Sequence, residues 1–300
     1  MKKFNLFFVL IVSIFFTSCN NDETEATNEV AINATVCEIA TGFNVVETMV
    51  GNEKLYLTEN NDYIFQGDIL LSQEQIDDFT TSDPATRGAI LSQSKYKWPD
   101  GIIYYNIASG TTNNTRNMIY RAIDILERKT MLKFIPRVKH KDYVEFFNGS
   151  GCWSYLGKIG GKQQISIDDS WAITGNVIHE ILHAAGMIHE HSRSDRNNFI
   201  NVNYNNIRSD AKSNYDISSL SHNILHVFIG PSTDDIDYGS IMMYGSWGGS
   251  NAINSSVPVM TKKNGSTWDA QRDYPSSGDI GTVAIIYGFK PGEGDGGYYE

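Results

Sequence analysis

The sequence predicts an α+β fold in which strands and two helices precede a long irregular region. Apolar residues at helical spacing predict helices over residues 115–130 and 173–185. The hydrophobic share of 41% is that of an ordinary globular protein with a full core. After residue 190 the chain is rich in Asn, Ser and Gly, and one further helix is expected over 277–287. Short apolar and aromatic runs predict strands over residues 101–105, 133–136, 143–147 and 164–167.

The amino terminus predicts an export signal. Lys2 and Lys3 precede an almost wholly apolar segment over 4–16. This segment is too short to span a membrane, which takes about 20 residues. Small residues follow and end at Cys19, a pattern that resembles a bacterial lipobox, in which the Cys is lipidated. An ordinary cleaved signal with an incidental Cys is the alternative. We therefore expect residues 1–18 to be a signal peptide, and lipid on Cys19 to hold the exported protein at the outer membrane or cell surface.

Negative charge is concentrated in the segment after this signal. Residues 20–87 contain fourteen acidic and two basic residues, whereas residues 88–300 contain twenty-one acidic and twenty basic residues. The second part is therefore nearly neutral, and it gives no argument for a nucleic-acid partner. Small polar residues with Pro and Gly predict an exposed loop around Arg87–Gly88, where we place a domain boundary. The Gly-rich residues 291–300 are expected to form a flexible tail.

The second predicted helix carries a metal-binding pattern. His179 and His183 are four residues apart, so they project from one helix face and can bind one metal ion. Gly186 is expected to end the helix, because glycine tolerates the left-handed conformation that reverses the chain and returns His189 as a third ligand. Three neutral imidazoles leave the fourth position of zinc open for water, as in catalytic sites. Glu180 can take a proton from that water, so we expect one catalytic zinc ion.

Residues 179–196, HEILHAAGMIHEHSRSDR, resemble the long zinc signature of the astacin family, HExxHxxGxxHExxRxDR. Residues 238–244 resemble the Met-turn of the same family. The resemblance implies that Met242 lies beneath the metal. It also implies that Tyr244 is an additional zinc ligand, which moves away to stabilise the transition state. Met243 stands where most members have His.

The likeness extends over most of residues 88–290 and implies the metzincin, or zincin-like, fold. That fold has a twisted five-stranded mixed sheet with an antiparallel edge strand, two long helices and an irregular C-terminal subdomain. The implied activity is hydrolysis of internal peptide bonds by a monomer, with the peptide substrate adding a strand to the sheet edge near 152–155. Met131 and Trp171 stand where the family has Cys, so Cys152 lacks its usual partner.

The acidic segment carries a second motif of the family. Phe65-Gln66-Gly67-Asp68 resembles the FxGD sequence of astacin pro-segments, which implies that Asp68 binds the zinc and keeps the precursor inactive. Residues 19–87 are therefore expected to be an inhibitory pro-segment that an activating protease removes at Arg87–Gly88. In relatives the new amino terminus pairs with the residue that matches Glu190.

Three alternatives stay open. Cys37 is a competing zinc ligand, because thiolate binds zinc strongly, and its other possible states are a disulfide with Cys152 or an idle thiol. A catalytically inactive lipoprotein that keeps the fold and binds ligands is the rival function, although Glu180, Tyr244 and all three histidines are present. The serralysins share the histidines and the tyrosine, but they carry Gly- and Asp-rich calcium repeats that this chain lacks.

Overall fold

A computed structural model describes the chain over residues 36–38, 43–50, 53–81, 94–217 and 236–288. The predicted signal peptide, Cys19, the Arg87–Gly88 cleavage site and the tail over 291–300 lie outside these ranges. Within the described ranges, no helix is both long and apolar enough to cross a membrane.

Five strands and one helix form in the acidic segment: β1 (Val36–Glu38), β2 (Asn44–Val50), β3 (Glu53–Thr58), β4 (Tyr63–Phe65), β5 (Ile69–Leu71) and α1 (Gln73–Thr81). The main domain has β6 (Ile102–Ile107), α2 (Asn113–Lys129), β7 (Lys133–Pro136), β8 (Tyr143–Asn148), β9 (Trp153–Tyr155), β10 (Lys162–Ile167), α3 (Thr174–Ala184), β11 (Ile200–Val202), β12 (Met260–Lys262) and α4 (Ser277–Ile286). The predicted bounds of α2, α3 and α4 agree with the observed ones to within two residues.

Five strands of the main domain lie side by side in the order β9-β10-β8-β6-β7. Strands β10, β8, β6 and β7 run parallel, whereas β9 is antiparallel to β10. Within the main domain β9 is the outermost strand, so the predicted mixed sheet with an antiparallel strand at its edge is confirmed. Helices α2 and α3 pack against each other and against this sheet.

The sheet does not end at β9, because the five strands of the acidic segment extend it to ten. Strand β5 pairs in parallel with β9, and β1 to β5 pair antiparallel in chain order. The five strands predicted from the family resemblance are thus only the main-domain half of a larger sheet. Sequence patterns missed the other half because its strands are short and bury their apolar side chains partly against the main domain: Tyr56, Ile64 and Leu70 share a core with Trp153.

Helix α3 is buried over residues 177–184 and forms part of the main core. At its start, a Cβ on Gly175 would lie 1.6 Å from the carbonyl oxygen of Arg272, so only glycine allows this close approach to the C-terminal subdomain. After the helix, Gly186 adopts a φ of 105°, the left-handed region predicted for the chain reversal. The core between the helices and the sheet includes Ile119, Leu126, Val144, Phe146, Ile178 and Leu182.

The described part of the C-terminal subdomain has little regular structure, as predicted. It consists mainly of 3₁₀ turns around the short pair β11 and β12. Helix α4 then returns to the main core through Val283 and Ile286. Its start is a capping box, in which Ser276 Oγ accepts from Asp279 N–H at 3.0 Å and Asp279 Oδ2 accepts from Ser276 N–H at 2.8 Å. The subdomain has its own core, which includes Ile200, Ile207, Tyr215, Met243, Met260 and Trp268.

Candidate metal centre and active site

Three imidazoles converge at the end of α3 and in the loop after it. His179 and His183 lie on one face of α3, and their Nε2 atoms are 3.1 Å apart. The turn at Gly186 brings back His189, whose Nε2 lies 3.2 Å from that of His179. All three side chains are buried. The structure therefore brings together the three histidines that the spacing predicted.

The other ring nitrogen of each histidine faces a hydrogen-bond acceptor. His179 Nδ1 lies 2.8 Å from Ile241 O, and His183 Nδ1 lies 2.7 Å from Met187 O. His189 Nδ1 lies 3.0 Å from a side-chain oxygen of the acidic segment. Because a carbonyl oxygen only accepts, each Nδ1 carries the hydrogen and each Nε2 presents a lone pair toward the other rings. Lone pairs that face one another in this way fit a cation between them.

Asp68 adds a carboxylate to the same point. Its Oδ1 lies 3.2 Å from His189 Nε2 and 3.7 Å from His183 Nε2, and its Oδ2 lies 3.5 Å from His179 Nε2. Ligand atoms about 2.0–2.1 Å from a tetrahedral zinc ion are about 3.3 Å from one another. The four groups, whose ligand atoms all lie within 4.8 Å of one another, thus match a zinc site in both donor type and separation.

Burial and the nearby charges set the protonation states of this centre. Burial lowers the pKa of His179 to about 4 and that of His183 well below its usual range. Burial also disfavours a charged Asp68, but the facing His189 and His179 outweigh it and hold the pKa of that carboxyl well below its usual range. At neutral pH the imidazoles of His179 and His183 are therefore neutral and the Asp68 carboxyl is ionised, the forms that bind zinc.

Glu180 lies next to the first histidine and is also buried. Its Oε2 has no hydrogen-bond partner among the described residues. Burial raises the pKa of this carboxyl well above its usual range, and the charge of Asp68 raises it further, whereas the Arg272 guanidinium lowers it. A buried and unpaired carboxylate oxygen is costly, so its position beside a metal centre indicates a chemical role.

The Tyr244 hydroxyl group points at the same carboxylate. It donates to the backbone oxygen of Gln66 at 3.1 Å and lies 3.3 Å from Asp68 Oδ2. The ring stacks on His191 with the centroids 4.2 Å apart, and it contacts the His189 ring at 4.6 Å. Tyr244 therefore lies at the metal centre, with its hydroxyl group engaged by the acidic segment.

The segment that resembles a Met-turn lies beneath the histidines. Met242 is 1% exposed within the core under α3, and its carbonyl accepts from Glu190 N–H at 3.0 Å. The carbonyl of the preceding Ile241 accepts a hydrogen bond from His179 Nδ1. Met243, which replaces the usual His, packs in the core of the C-terminal subdomain. The turn thus supports both the ligand helix and the loop of the third histidine.

Glu190, which follows the third histidine, is paired within its own domain. Its Oε1 accepts from Arg193 Nη1 at 2.8 Å and from the backbone N–H of Asp237 at 3.0 Å. Burial raises the pKa of its carboxyl. Gly88, whose amino group is predicted to pair with Glu190 after processing, lies outside the described residues.

The acidic segment reaches the centre through a tight turn between β4 and β5. Gln66 and Gly67 have φ values of 53° and 93°, in the left-handed region. The φ of Gly67 is one that residues with a side chain rarely adopt, and a Cβ there would also lie 2.8 Å from the Asn214 side chain, which would have to shift. Strand β5 then runs beside β9, where Ser154 N–H donates to Asp68 O at 3.0 Å. The segment occupies the sheet edge where a substrate strand was predicted.

Cys152 is not among the groups whose ligand atoms converge at the centre. Cys152 is a free thiol, and burial raises its pKa. Strand β1, which contains Cys37, is four strands from β5 in the sheet, a separation of about 19 Å at 4.8 Å per strand. The structure therefore places Asp68, and not the Cys37 backbone, at the histidines.

Two residues around the centre had no signal in the sequence. Asp279 is buried and accepts from Ser240 Oγ at 2.6 Å and from Ile241 N–H at 2.9 Å, so it supports the peptide that holds His179. Arg272 Nη1 donates to a Met-turn carbonyl at 3.1 Å. A single Asp or Arg outside a motif cannot be recognised from spacing, because its role depends on contacts made by the fold.

Residues 90–288 match the family model described as Astacin, a family of peptidases. The chain is 36% identical over 245 residues to Blastula protease 10 of Paracentrotus lividus, a match that covers 74% of this chain and 38% of that protein. It is 32% identical over 224 residues to Zinc metalloproteinase nas-4 of Caenorhabditis elegans, covering 74% of this chain and 68% of that protein. The chain thus spans little more than a third of the first relative.

Among solved structures, the fold is similar to High choriolytic enzyme 1, a hatching enzyme zinc-protease from Oryzias latipes (Medaka fish). The TM-score is 0.57 at 29% identity, and the match covers 65% of this chain and 94% of that one.

Proposed function

The chain belongs to the astacin family, and we propose that it is a zinc-dependent endopeptidase made as a latent precursor. Residues 90–288 form a metalloendopeptidase domain with zinc as its metal, and proteins or peptides are its substrates. The observation that carries the proposal is the convergence of three imidazole Nε2 atoms and one carboxylate at a buried point.

The roles of the main-domain residues follow from the atoms that they present. His179, His183 and His189 are the proposed zinc ligands, each through Nε2. When bound, zinc acts as a Lewis acid that makes a water molecule nucleophilic at neutral pH and polarises the scissile carbonyl. Glu180 is the proposed general base, since its Oε2 is buried beside the centre and has no partner among the described residues. It then delivers the proton to the leaving amine.

Tyr244 is the proposed donor to the negative charge that develops on the carbonyl oxygen. Its hydroxyl group is bonded to the acidic segment in this structure, so it becomes available when that segment leaves. A preorganised donor in a buried site stabilises the transition state more than the ground state. Met242 and Gly186 are proposed to act structurally, by supporting the ligand helix from below and by reversing the chain after it.

Latency is proposed to have two parts. The Asp68 carboxylate takes the ligand position that water needs, as its 3.2–3.7 Å distances to the three imidazoles indicate. Strand β5 covers the edge of β9, so a peptide substrate cannot pair there. Water and substrate are therefore excluded by the same segment.

Activation is proposed to begin with cleavage at Arg87–Gly88 by another protease. The released segment would take Asp68 with it and uncover both the metal centre and the β9 edge. The new amino group of Gly88 would then pair with Glu190, whose carboxylate is partly buried and already accepts two hydrogen bonds. That pairing would order the C-terminal subdomain.

The site of action is proposed from the amino-terminal sequence. The basic, apolar and small-residue pattern that ends at Cys19 supports export and a lipid anchor at the outer membrane or cell surface. We also propose that the protein acts as a monomer, and processing at Arg87 is the step at which it could be released from the anchor.

Hydrolysis of casein by the processed protein tests the proposed function. We expect cleavage at internal bonds, its loss with a zinc chelator, and its return when zinc is added. A processed, zinc-loaded protein that binds peptides without cleaving them would instead support the inactive binding lipoprotein.

A further inference from the structure

Gln66 carries two unfavourable features directly before Gly67. Its φ of 53° lies in the left-handed region, which residues with a side chain rarely adopt. The residue is 2% exposed, and its side-chain Nε2 has no partner among the described residues. Unfavourable features of this kind persist where other interactions of the surrounding structure compensate for them, and they are concentrated at functional sites. A glutamine with negative φ and an exposed side chain would have neither the backbone strain nor the unpaired buried nitrogen.

What Gln66 gains is a pair of contacts with the active site. Its Oε1 accepts from His189 Nδ1 at 3.0 Å, and its backbone oxygen accepts from the Tyr244 hydroxyl group at 3.1 Å. The Nδ1 atoms of His179 and His183 bond to backbone carbonyls of the main domain. Among the three histidines, only His189 depends on the acidic segment for this bond.

We propose that Gln66 is a positioning residue of the precursor, which holds His189 in its metal-binding orientation and tautomer and so tightens zinc binding until the segment is released. This inference rests on the proposed zinc ligands and on the proposed inhibitory role of the segment. A histidine that ligates a metal commonly donates its other N–H to an acceptor, and loss of that acceptor weakens metal binding by about 10- to 100-fold.

The chemistry of the side-chain amide determines which partner donates in the hydrogen bond between Gln66 and His189. A glutamine side chain can accept through Oε1 or donate through Nε2. Donation to His189 Nδ1 would force the ring hydrogen onto Nε2, which could then no longer offer a lone pair to a metal. The Oε1 contact is therefore the one compatible with zinc, and a pure acceptor at this position should preserve the function.

The test is zinc affinity, measured by competition with a chromogenic chelator, in the full chain carrying Arg87→Gln to keep the linker intact. Gln66→Leu removes the acceptor, and Gln66→Glu keeps an acceptor that cannot donate. Gln75→Leu is the matched control, because Gln75 is a buried glutamine of the same segment whose Nε2 donates to Leu156 O at 2.8 Å, away from the metal centre.

We expect Gln66→Leu to bind zinc about 10- to 100-fold more weakly than the parent chain, while Gln66→Glu binds at least as tightly and Gln75→Leu stays within about threefold. Equal zinc affinity in Gln66→Leu and Gln75→Leu would overturn the role of Gln66. A loss in Gln66→Glu as large as that in Gln66→Leu would do the same, since it would indicate a packing effect. A parent chain that binds no zinc would overturn the proposed function as well.

Discussion

Glu180 is buried beside the metal centre with a carboxylate oxygen that lacks a partner among the described residues. Replacement by Ala removes the proposed proton acceptor and leaves the three histidines in place. We predict that the processed Glu180→Ala protein keeps stoichiometric zinc and a native circular dichroism spectrum, while peptide hydrolysis falls by at least about 100-fold. Activity within about tenfold of the parent enzyme would remove Glu180 from the role of general base.

Tyr244 offers a second test at the same scale. Its ring packs on His189 and His191, so Phe keeps the packing and removes only the hydroxyl group. Because the hydroxyl group is proposed to act on charge that exists only in the transition state, kcat of the processed enzyme should fall by about 100-fold with little change in KM. Steady-state kinetics on a peptide substrate gives both constants. An unchanged kcat would count against this role.

Replacement of Asp279 tests whether the peptide that positions His179 needs support from this carboxylate. Its carboxylate accepts three bonds, from Ser240 Oγ and from the backbone N–H groups of Ile241 and Ser276. Asp279→Asn leaves one oxygen and turns an NH₂ group toward a donor, so we predict a loss of about 1–3 kcal/mol in the free energy of unfolding, with weaker zinc binding. Asp273→Asn, an exposed change in the same region, is the control. Equal zinc affinity in the two variants would argue against support through Ile241.

The sequence located part of this site for a physical reason. Two histidines one helical turn apart and a glycine that reverses the chain determine their own geometry, so their convergence could be predicted. Asp279 and Gln66 could not, because their contacts join residues that are 38 and 123 positions apart in the chain. Local spacing does not encode contacts of that range.

At the scale of elements, the pairing of β5 with the edge of β9 is the contact on which the proposed latency depends. The helices and the four parallel strands were predictable, since each has its own periodic or apolar pattern. The pairing of β5 with β9 was not, because a run of three residues, Ile69–Leu71, shows no period. Both Ile69 and Leu71 are nonetheless fully buried, since β5 packs on the main domain.

One hydrogen bond at this edge offers a prediction about docking. The Tyr155 hydroxyl group donates to Asp62 Oδ2 at 2.6 Å, and Tyr155→Phe would leave that carboxylate without this donor at a cost of about 1–3 kcal/mol. We predict faster hydrogen exchange of the Ser154 and Leu156 amides, which donate to β5 and to the turn before it. Tyr63→Phe is the control, because the Tyr63 hydroxyl group donates to Gln73 within the segment and to no other residue of the described ranges. Exchange rates that respond equally to both variants would show that Tyr155 does not hold the segment.

At the scale of the whole molecule, ten strands form one sheet across the predicted boundary between pro-segment and main domain. The charge difference between the two parts predicted that boundary, and the motif FxGD predicted which residue reaches the metal. Neither pattern predicted that the acidic segment folds as a sheet extension, because its buried side chains pack partly on Trp153 and Leu156 of the main domain. The proposed inhibition would therefore depend on an extended interface as well as on one carboxylate.

The most direct test of the latency account is the activity of the uncut chain with and without the Asp68 carboxylate. Arg87→Gln keeps the linker intact in both proteins, mass spectrometry verifies this, and Asp77→Ala in helix α1 is the control. We predict that the uncut parent and the Asp77→Ala chain do not hydrolyse a peptide substrate. Uncut Asp68→Ala should do so in a chelator-sensitive manner, at a rate below that of protein processed at Gly88. An uncut parent chain as active as the processed enzyme would contradict the proposed latency.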